Sequence, residues 1–527
     1  MIDILIKNGT VIDGTGKEPF LSDVAVSGGV ISDIARGIPE TRAHEVIDAT
    51  NKFVSPGFID VTSHSDTTWT LFDYPGQESM LTQGITTIIG GNCGSSLAPL
   101  ASGDAIKSIQ KWTDVSRINT NWLSMSEFFE ELKRRRLGVN FGTLIGHGTL
   151  RRGVIGEHIR PLSAEETEKT KFLVTEAMKA GAFGVSTGLG YSHEQPATID
   201  EIANIISPVK EYGGVYKTHL RSEGHEGLLA AVNEAIQIGR SADVPVLISH
   251  LKAIGRKEWQ YINGALEMIR NAREDGVTIS FDVFPYLRTG SHLYQLLPRW
   301  AREGGFEGMF ERLKNPATFA KIMVDMKRYT LHYERIVIAS AKDTTVVGKT
   351  IAELARSSRL GPEEVVAELL LSNDGRVAIF NKNLSGKNLL KLILYPDSSV
   401  STDGAGYGTE HQKSGVLVHP RSFGAFVHFL HYFVTGTGKL SWQAAVEKIT
   451  SKPAAAIGLK HRGRIEQKYF ADIVVVDPAR LADRSTYSNP YRHSSGIDWV
   501  IVNGNVAIRE GNITGTMGGK VLRKTGT

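Results

Sequence analysis

The sequence predicts an α/β fold: a (β/α)8 TIM-like barrel, a small β-sandwich built from both chain termini, and an insertion between strands 7 and 8. Three observations carry this. Strand-like runs at about 53–61, 83–89, 139–146, 182–187, 214–219, 244–250, 278–283 and 397–402 alternate with helical patterns, the signature of a parallel barrel. Both ends of the chain are rich in short strands and two-residue turns. The spacing between strand candidates is regular except after the seventh, where Phe284 to Leu394 intervenes with helices of its own.

Taken in order, Ile4, Ile6 and Val11 flank Asn8-Gly9, and Val24 to Ile31 is interrupted by Ser27-Gly28-Gly29; both pairs read as hairpin turns. Ser163 to Gly181 is the clearest helix. Ser163 and Glu166 form a capping box, Phe172, Leu173, Ala177 and Ala180 give the apolar stripe, and Gly181 ends it. Pro362 opens a further helix to Leu371 inside the insertion. Near the C-terminus, Ala471 to Asp477 is a strand closed by Pro478, and Trp499 to Val502 meets the turn pair Asn503-Gly504. The expected division is 1–54 with 455–527 as the small β domain and 55–454 as the barrel, with 284–395 as an insertion or lid.

At 527 residues the chain exceeds an ordinary domain, and a barrel with insertions can take most of it. A hydrophobic content of 41% and a charged content of 22% suit a large core and argue against disorder. The net charge of +4 is spread thinly, and Lys133-Arg134-Arg135-Arg136 continues a helical pattern, so no nucleic-acid footprint is expected. No segment reaches the roughly 18 apolar residues of a membrane span. One cysteine excludes an internal disulfide, and a cytoplasmic location is expected. Nothing in the sequence forbids a homo-oligomer.

The chemistry gathers at strand ends. Ile85 to Ile89 runs into Gly90-Gly91-Asn92-Cys93-Gly94, Val215 to Thr218 into His219, Val244 to Ser249 into His250, and Ser398 to Thr402 into Asp403; Phe58 to Val61 runs towards His64. Barrel active sites lie at the C-terminal ends of the strands. A thiolate with two imidazoles suits Zn²⁺ better than Mg²⁺ or Ca²⁺, and three protein ligands with one open position is the catalytic pattern. Zinc lowers the pKa of a bound water to about 7, and Asp403 can take the remaining proton. Tyr286, Arg288, Ser291, Arg421 and Lys252 are candidates for gripping an anionic substrate.

Several segments resemble a known family. Val54-Ser55-Pro56-Gly57-Phe58-Ile59-Asp60 followed by a His-containing turn resembles the first barrel strand of the amidohydrolase superfamily. Gly91-Asn92-Cys93-Gly94, Ser186-Thr187-Gly188-Leu189-Gly190-Tyr191, Thr218-His219-Leu220-Arg221-Ser222-Glu223, Ser249-His250-Leu251-Lys252, Asp282-Val283-Phe284-Pro285-Tyr286 and His419-Pro420-Arg421 resemble the N-acyl-D-amino-acid deacylases. The resemblance implies a zinc hydrolase of linear amides. It matches Cys93, His219 and His250 to the tight zinc ligands, His64 to a further ligand and Asp403 to the catalytic acid/base. The expected substrate is a small N-acyl amino acid with a free carboxylate, held by Arg421 or Lys252 with Tyr191, Tyr286 or Ser291.

Two positions depart from the pattern. The superfamily usually has His-x-His where this chain has Thr62-Ser63-His64. A hydroxyl replaces an imidazole, which weakens a second metal position, and about one zinc per chain is expected. Phe284 stands where the family often has Tyr, removing a hydroxyl that could hold the substrate. Two other readings compete. A hydantoinase or dihydropyrimidinase would use a lysine at the end of the fourth strand, and Phe183 to Gly188 has none. A non-catalytic scaffold has only Thr62 in its favour.

Overall fold

The computed structural model describes residues 1–224, 227–329 and 331–524. Its centre is a TIM-barrel-like α/β fold. Phe58–Asp60, Ile85–Gly90 and Asn140–Thr143 pair in parallel. Ile145–Gly146, Gly184–Gly188, Val215–His219, Val246–Ile248, Ile279–Val283 and Ser398–Val400 form the other parallel sheet. The expected strand 139–146 is thus shared between two sheets, with the break at Leu144. Closure comes from a parallel bridge between Ser63 and Gly404 and from the His64 N–H, which donates to the Gly404 carbonyl at 2.7 Å. Apart from the half-buried Ser280, the strand interiors are buried, as expected when helices cover a parallel barrel from outside.

The predicted strand 53–61 is two strands in two sheets. Phe53–Pro56 lies antiparallel to Ile473–Val476, and Phe58–Asp60 opens the barrel. Gly57 is the hinge between them. A Cβ there would stand 2.2 Å from Thr86 Oγ1, so only glycine lets the chain cross so close to the second barrel strand. The hydrophobic run continues across the junction because both halves are buried, and hydropathy alone does not mark the change of sheet.

The terminal strands join in one hydrogen-bonded sheet that includes Ile2–Val11, Phe20–Ser27, Val30–Ala35, Phe53–Pro56, Ile473–Val476, Ile497–Val502 and Asn505–Arg509. Gly28-Gly29 and Asn503-Gly504 are two-residue hairpin turns with positive φ at both positions, as the sequence predicts. Asn8-Gly9 is not a hairpin. The strand continues through it as a bulge, with Asn8 at φ 60° and its N–H donating to Asp23 Oδ1. Asn140, Asp472 and Asn503 bind one another's side chains and main chain beneath the barrel, locking the sheet to the third barrel strand.

The helix Ala164–Ala180 carries the predicted capping box and ends at Gly181 in the left-handed region. Its buried face is Thr167, Thr170, Val174, Ala177 and Met178, and Phe172 is exposed. The face turns on residues three, four and seven apart, and Phe172 falls between them. Between the seventh and eighth barrel strands lie an antiparallel sheet of Thr289–His292, Ala378–Asn381 and Ile336–Ser340 and helices that include Pro362–Ser372. They share an apolar cluster of their own, with Leu293, Met309, Ile322, Met326, Ile338 and Leu370. The helix Gly386–Leu394 instead packs into the barrel core through Leu392 and Ile393.

Replacing Gly57 with Ala should destabilise the fold by about 1–3 kcal/mol, the usual cost of forcing extra atoms into a close-packed site. Thermal unfolding of Gly57→Ala should show a clear fall in Tm; an unchanged Tm would contradict the hinge assignment.

Candidate metal centre

Each strand end presents its side chain through a tight local turn. Cys93, His250 and Asp403 have φ of 53°, 37° and 49°, a region that non-glycine residues enter only when the surroundings fix them there. For Cys93 the surroundings are explicit. Asp66 Oδ2 accepts the Gly91 N–H at 2.7 Å, and Ser186 Oγ accepts the Gly94 N–H at 3.1 Å and donates to the Gly91 carbonyl. Asn92 Nδ2 donates to the Ser63 and Ile89 carbonyls. A Cβ on Gly94 would meet Glu194 Oε1 at 1.9 Å, so the turn has room only for glycine.

Cys93, His219 and His250 converge. One ligand atom from each lies within 4.8 Å of the others. Cys93 Sγ is 3.4 Å from His250 Nε2, and His219 Nδ1 is 3.2 Å from the same nitrogen. Donors around a tetrahedral zinc, at ordinary Zn–S and Zn–N lengths, stand roughly 3.3–3.6 Å apart, and the two spacings to His250 Nε2 match that geometry. His250 Nδ1 is 3.1 Å from Glu223 Oε1, and Lys252 Nζ bonds the same oxygen at 2.5 Å. A carboxylate behind a ligating imidazole fixes its orientation.

His64 lies at the edge of this group, with Nε2 3.9 Å from Cys93 Sγ and 3.2 Å from Asp403 Oδ1. Asp403 Oδ2 accepts from Arg421 Nη1 at 2.5 Å. Burial alone would raise the Asp403 carboxyl, but Arg421 outweighs it, with His250 and His64, and holds it well below the usual range. Burial acts against a charged His64, yet Asp403 and Cys93 bring it up to about 9. The Cys93 thiol is pushed up by burial and down, further, by His250, His219 and His64, and ends well below its ordinary value. His250 is lowered by burial and Lys252 but raised more by Asp403, Cys93 and Glu223, to about 10.

The remaining predicted residues divide. Tyr191 stacks on His219 with ring centroids 5.1 Å apart and so lines the centre. Lys252 adjoins His250 but is engaged by Glu223. Arg421 is turned onto Asp403 and not left free in the mouth, though its buried Nε has no hydrogen-bond partner among the described residues. Ser291 sits on the insertion's strand beside Gly290, whose Cβ position is 3.5 Å from Arg421 Nη2. Tyr286 is packed between His419 and His428, with its hydroxyl towards Gly424 and no hydrogen-bond partner among the described residues. Arg288 lies over the Tyr487 ring. Phe284 is bracketed by Arg421 and Lys252, 5.1 and 5.9 Å from its ring centre.

Five further residues belong to the site and carry no assignment from the sequence. Glu223 backs His250. Trp112 stacks on His64 at 5.4 Å and meets His292 of the insertion edge-on. Lys111, lowered by burial to about 7, sits 3.3 Å over the Tyr191 ring. Both come from a stretch of irregular turns with no periodicity to read. Lys217 and Asp282, by contrast, are charges inside apolar strands, a signal visible in the sequence.

With this geometry in hand, the comparisons with known proteins are decisive for the family. The amidohydrolase family model matches residues 45–218 and 416–508. The chain belongs to the amidohydrolase family. It is 30% identical to D-aminoacylase of Alcaligenes xylosoxydans xylosoxydans, covering 99% of this chain and 98% of that one. A solved D-aminoacylase, described by a binuclear metal centre with one-metal activation and second-metal attenuation, matches at TM-score 0.82 and 29% identity over 99% of this amidohydrolase and all of that chain. The N-acyl-D-glutamate deacylase of Bordetella bronchiseptica, complexed with zinc and a phosphonate inhibitor, matches at TM-score 0.82 and 26% identity over 99% of each chain. L-Hydantoinase of Arthrobacter aurescens, at 16% identity and TM-score 0.57, shares the fold alone.

Zinc uptake by this centre should release protons. Near pH 8 a metal-free His250 carries a proton that a metal ligand must lose. Affinity should therefore fall as pH drops, by about tenfold per unit for each proton released. Calorimetry in buffers of different ionisation enthalpy should show about one proton or more leaving at pH 8, and no release would contradict the assignment. Cys93→Ala should lose most of its zinc, read by elemental analysis of the purified protein.

Proposed function

We propose that this amidohydrolase is a zinc-dependent hydrolase of N-acyl-D-amino acids. The observation that carries the reading is the Cys93, His219 and His250 cluster at the barrel mouth, with Asp403 beside it. Full-length similarity to deacylases of N-acyl-D-amino acids supports it. A bound zinc would polarise the acyl carbonyl and activate water.

The chain's own residues do the rest. Asp403 takes the proton from the attacking water at Oδ1 and passes it to the leaving amine. Its depressed pKa makes it a modest base and a ready donor, which suits the return of the proton to an amine. His64, at 3.2 Å, steadies the carboxylate in the position from which both transfers occur. Arg421 keeps Asp403 ionised between turnovers. Tyr191, Trp112 and the insertion's His292 crowd the mouth and limit water there.

The substrate is a small N-acyl amino acid with a free carboxylate. The unpartnered Arg421 Nε, together with Lys252 and Ser291, offers the grip, and Phe284 keeps both cations in a dry setting where charge pairing is strong. Tyr286, turned towards Gly424, is left out of it. The same reading divides the chain into a small β domain of 1–54 with 455–527, a barrel of 55–454 and an insertion of 284–395. The change of sheet at Gly57 supports this division. No described helix is long and apolar enough to cross a membrane. The lone Cys93, with no disulfide, accords with a cytoplasmic location.

A panel of N-acetyl and N-formyl amino acids of both hands, with hydantoin, tests the reading: the N-acyl-D-amino acids are expected to turn over, and the N-acyl-L-amino acids and hydantoin to be poor. Asp403→Asn should keep its zinc and lose about 10²–10⁴-fold in turnover; activity within a few-fold of wild type would dismiss the role. An N-acyl-D-amino acid should exceed its own amide in kcat/KM. Equal handling of acid and amide by wild type would show that no carboxylate grip exists.

A further inference from the structure

Lys217 is the side chain least expected in a barrel strand. It and Asp282 are fully buried. Its Nζ donates to the Val61 carbonyl at 2.5 Å and to Thr62 Oγ1 at 2.5 Å, and stands 3.4 Å from Asp282 Oδ2. The ammonium thus makes two hydrogen bonds and one ion pair. Thr62 Oγ1 in turn donates to Asp282 Oδ2 at 2.8 Å. A buried ammonium is tolerated when it is paired with an opposite charge and hydrogen-bonded, and here Asp282 supplies the charge while Val61 and Thr62 supply the bonds.

Position 62 is where the superfamily's pattern puts the first histidine of His-x-His. An imidazole there cannot coexist with an ammonium 2.5 Å from the side-chain oxygen now present. Threonine at 62 therefore makes room for Lys217, and Lys217 sets a positive charge against the buried Asp282 carboxylate. We propose that the Lys217 ammonium is a built-in cation that takes the place of the second metal and holds this centre to one ion. The inference rests on the single-zinc reading above and adds the residue that enforces it.

A consequence follows for His64. With no second ion to serve, it is free to hold Asp403, the contact seen at 3.2 Å. An ammonium cannot act as a Lewis acid or exchange with solvent metal, so excess zinc gains no entry at this position. That contrasts with the related D-aminoacylase described as attenuated by a second metal.

The test compares wild type, Thr62→His, Lys217→Met and the double variant Thr62→His with Lys217→Ala. Each is equilibrated with excess zinc, freed of loose metal by gel filtration, and measured for metal content and Tm. Wild type and both single variants should retain one equivalent, and the folded double variant two. Cobalt substitution gives an independent readout: spin coupling between two ions should appear only in the double variant. Two equivalents in wild type or in Thr62→His would overturn the proposal, as would a folded double variant that stays at one. No zinc in wild type would instead defeat the metal reading itself. Should the double variant not fold, wild type alone decides. Its turnover should stay flat from one to ten equivalents of zinc, and a loss of turnover accompanied by a second bound equivalent would refute the built-in cation.

Discussion

Asp282 ties together the end of the barrel that does the chemistry. Its carboxylate is fully buried at the end of the seventh strand. Oδ1 accepts the His250 N–H at 3.0 Å and the Ser401 hydroxyl at 2.6 Å; Oδ2 accepts Thr62 Oγ1 and faces Lys217. One side chain thereby joins turns that follow the first, sixth and eighth strands to a lysine on the fifth. Asp60 repeats the device next door, accepting the Thr402 N–H and hydroxyl. Burial pushes its carboxyl up to about 6 despite these bonds. Such a polar layer is costly if half satisfied and rigid when complete. Here both Asp282 oxygens and both Asp60 oxygens are engaged, and they fix where His250 and Asp403 project.

The strained turns are intelligible on that footing. Cys93, His250 and Asp403 each hold a left-handed backbone because a neighbouring side chain takes up the hydrogen bonds the turn leaves open. The same rigidity explains how a thiol and two imidazoles stand at donor spacings suited to a tetrahedral ion. It also separates two jobs. In the mechanism proposed above, the Cys93 side would hold the metal, with Glu223 behind His250, and the Asp403 side would move protons, with His64 and Arg421 around it.

Much of this was legible in the sequence, and the exceptions share physical causes. Cys93, His219, His250 and Asp403 were readable because each ends a short strand-like run, and a barrel collects strand ends at one face. The capping box at Ser163 and the hairpin at Gly28-Gly29 were readable because their chemistry is local. Asn8-Gly9 misled because a bulge and a hairpin both need positive φ, and only the partner strand decides between them. The split at Gly57 was invisible to hydropathy because both sides are buried. Arg421 could be placed near the site, but its engagement by Asp403 depends on two loops meeting in space. Trp112 gave no signal, since irregular turns carry no period. Lys217 was on view as a charge in an apolar strand, and its meaning emerged only when Thr62 was seen beside it.

The central claim is that one zinc, on Cys93, His219 and His250, suffices for hydrolysis of an N-acyl-D-amino acid with Asp403 as the proton carrier. The most direct measurement is a zinc titration of metal-free protein, following release of amine from an N-acetyl-D-amino acid. Activity should rise linearly and break at one equivalent per chain. A break at two equivalents, or full activity in the metal-free protein, would contradict the account.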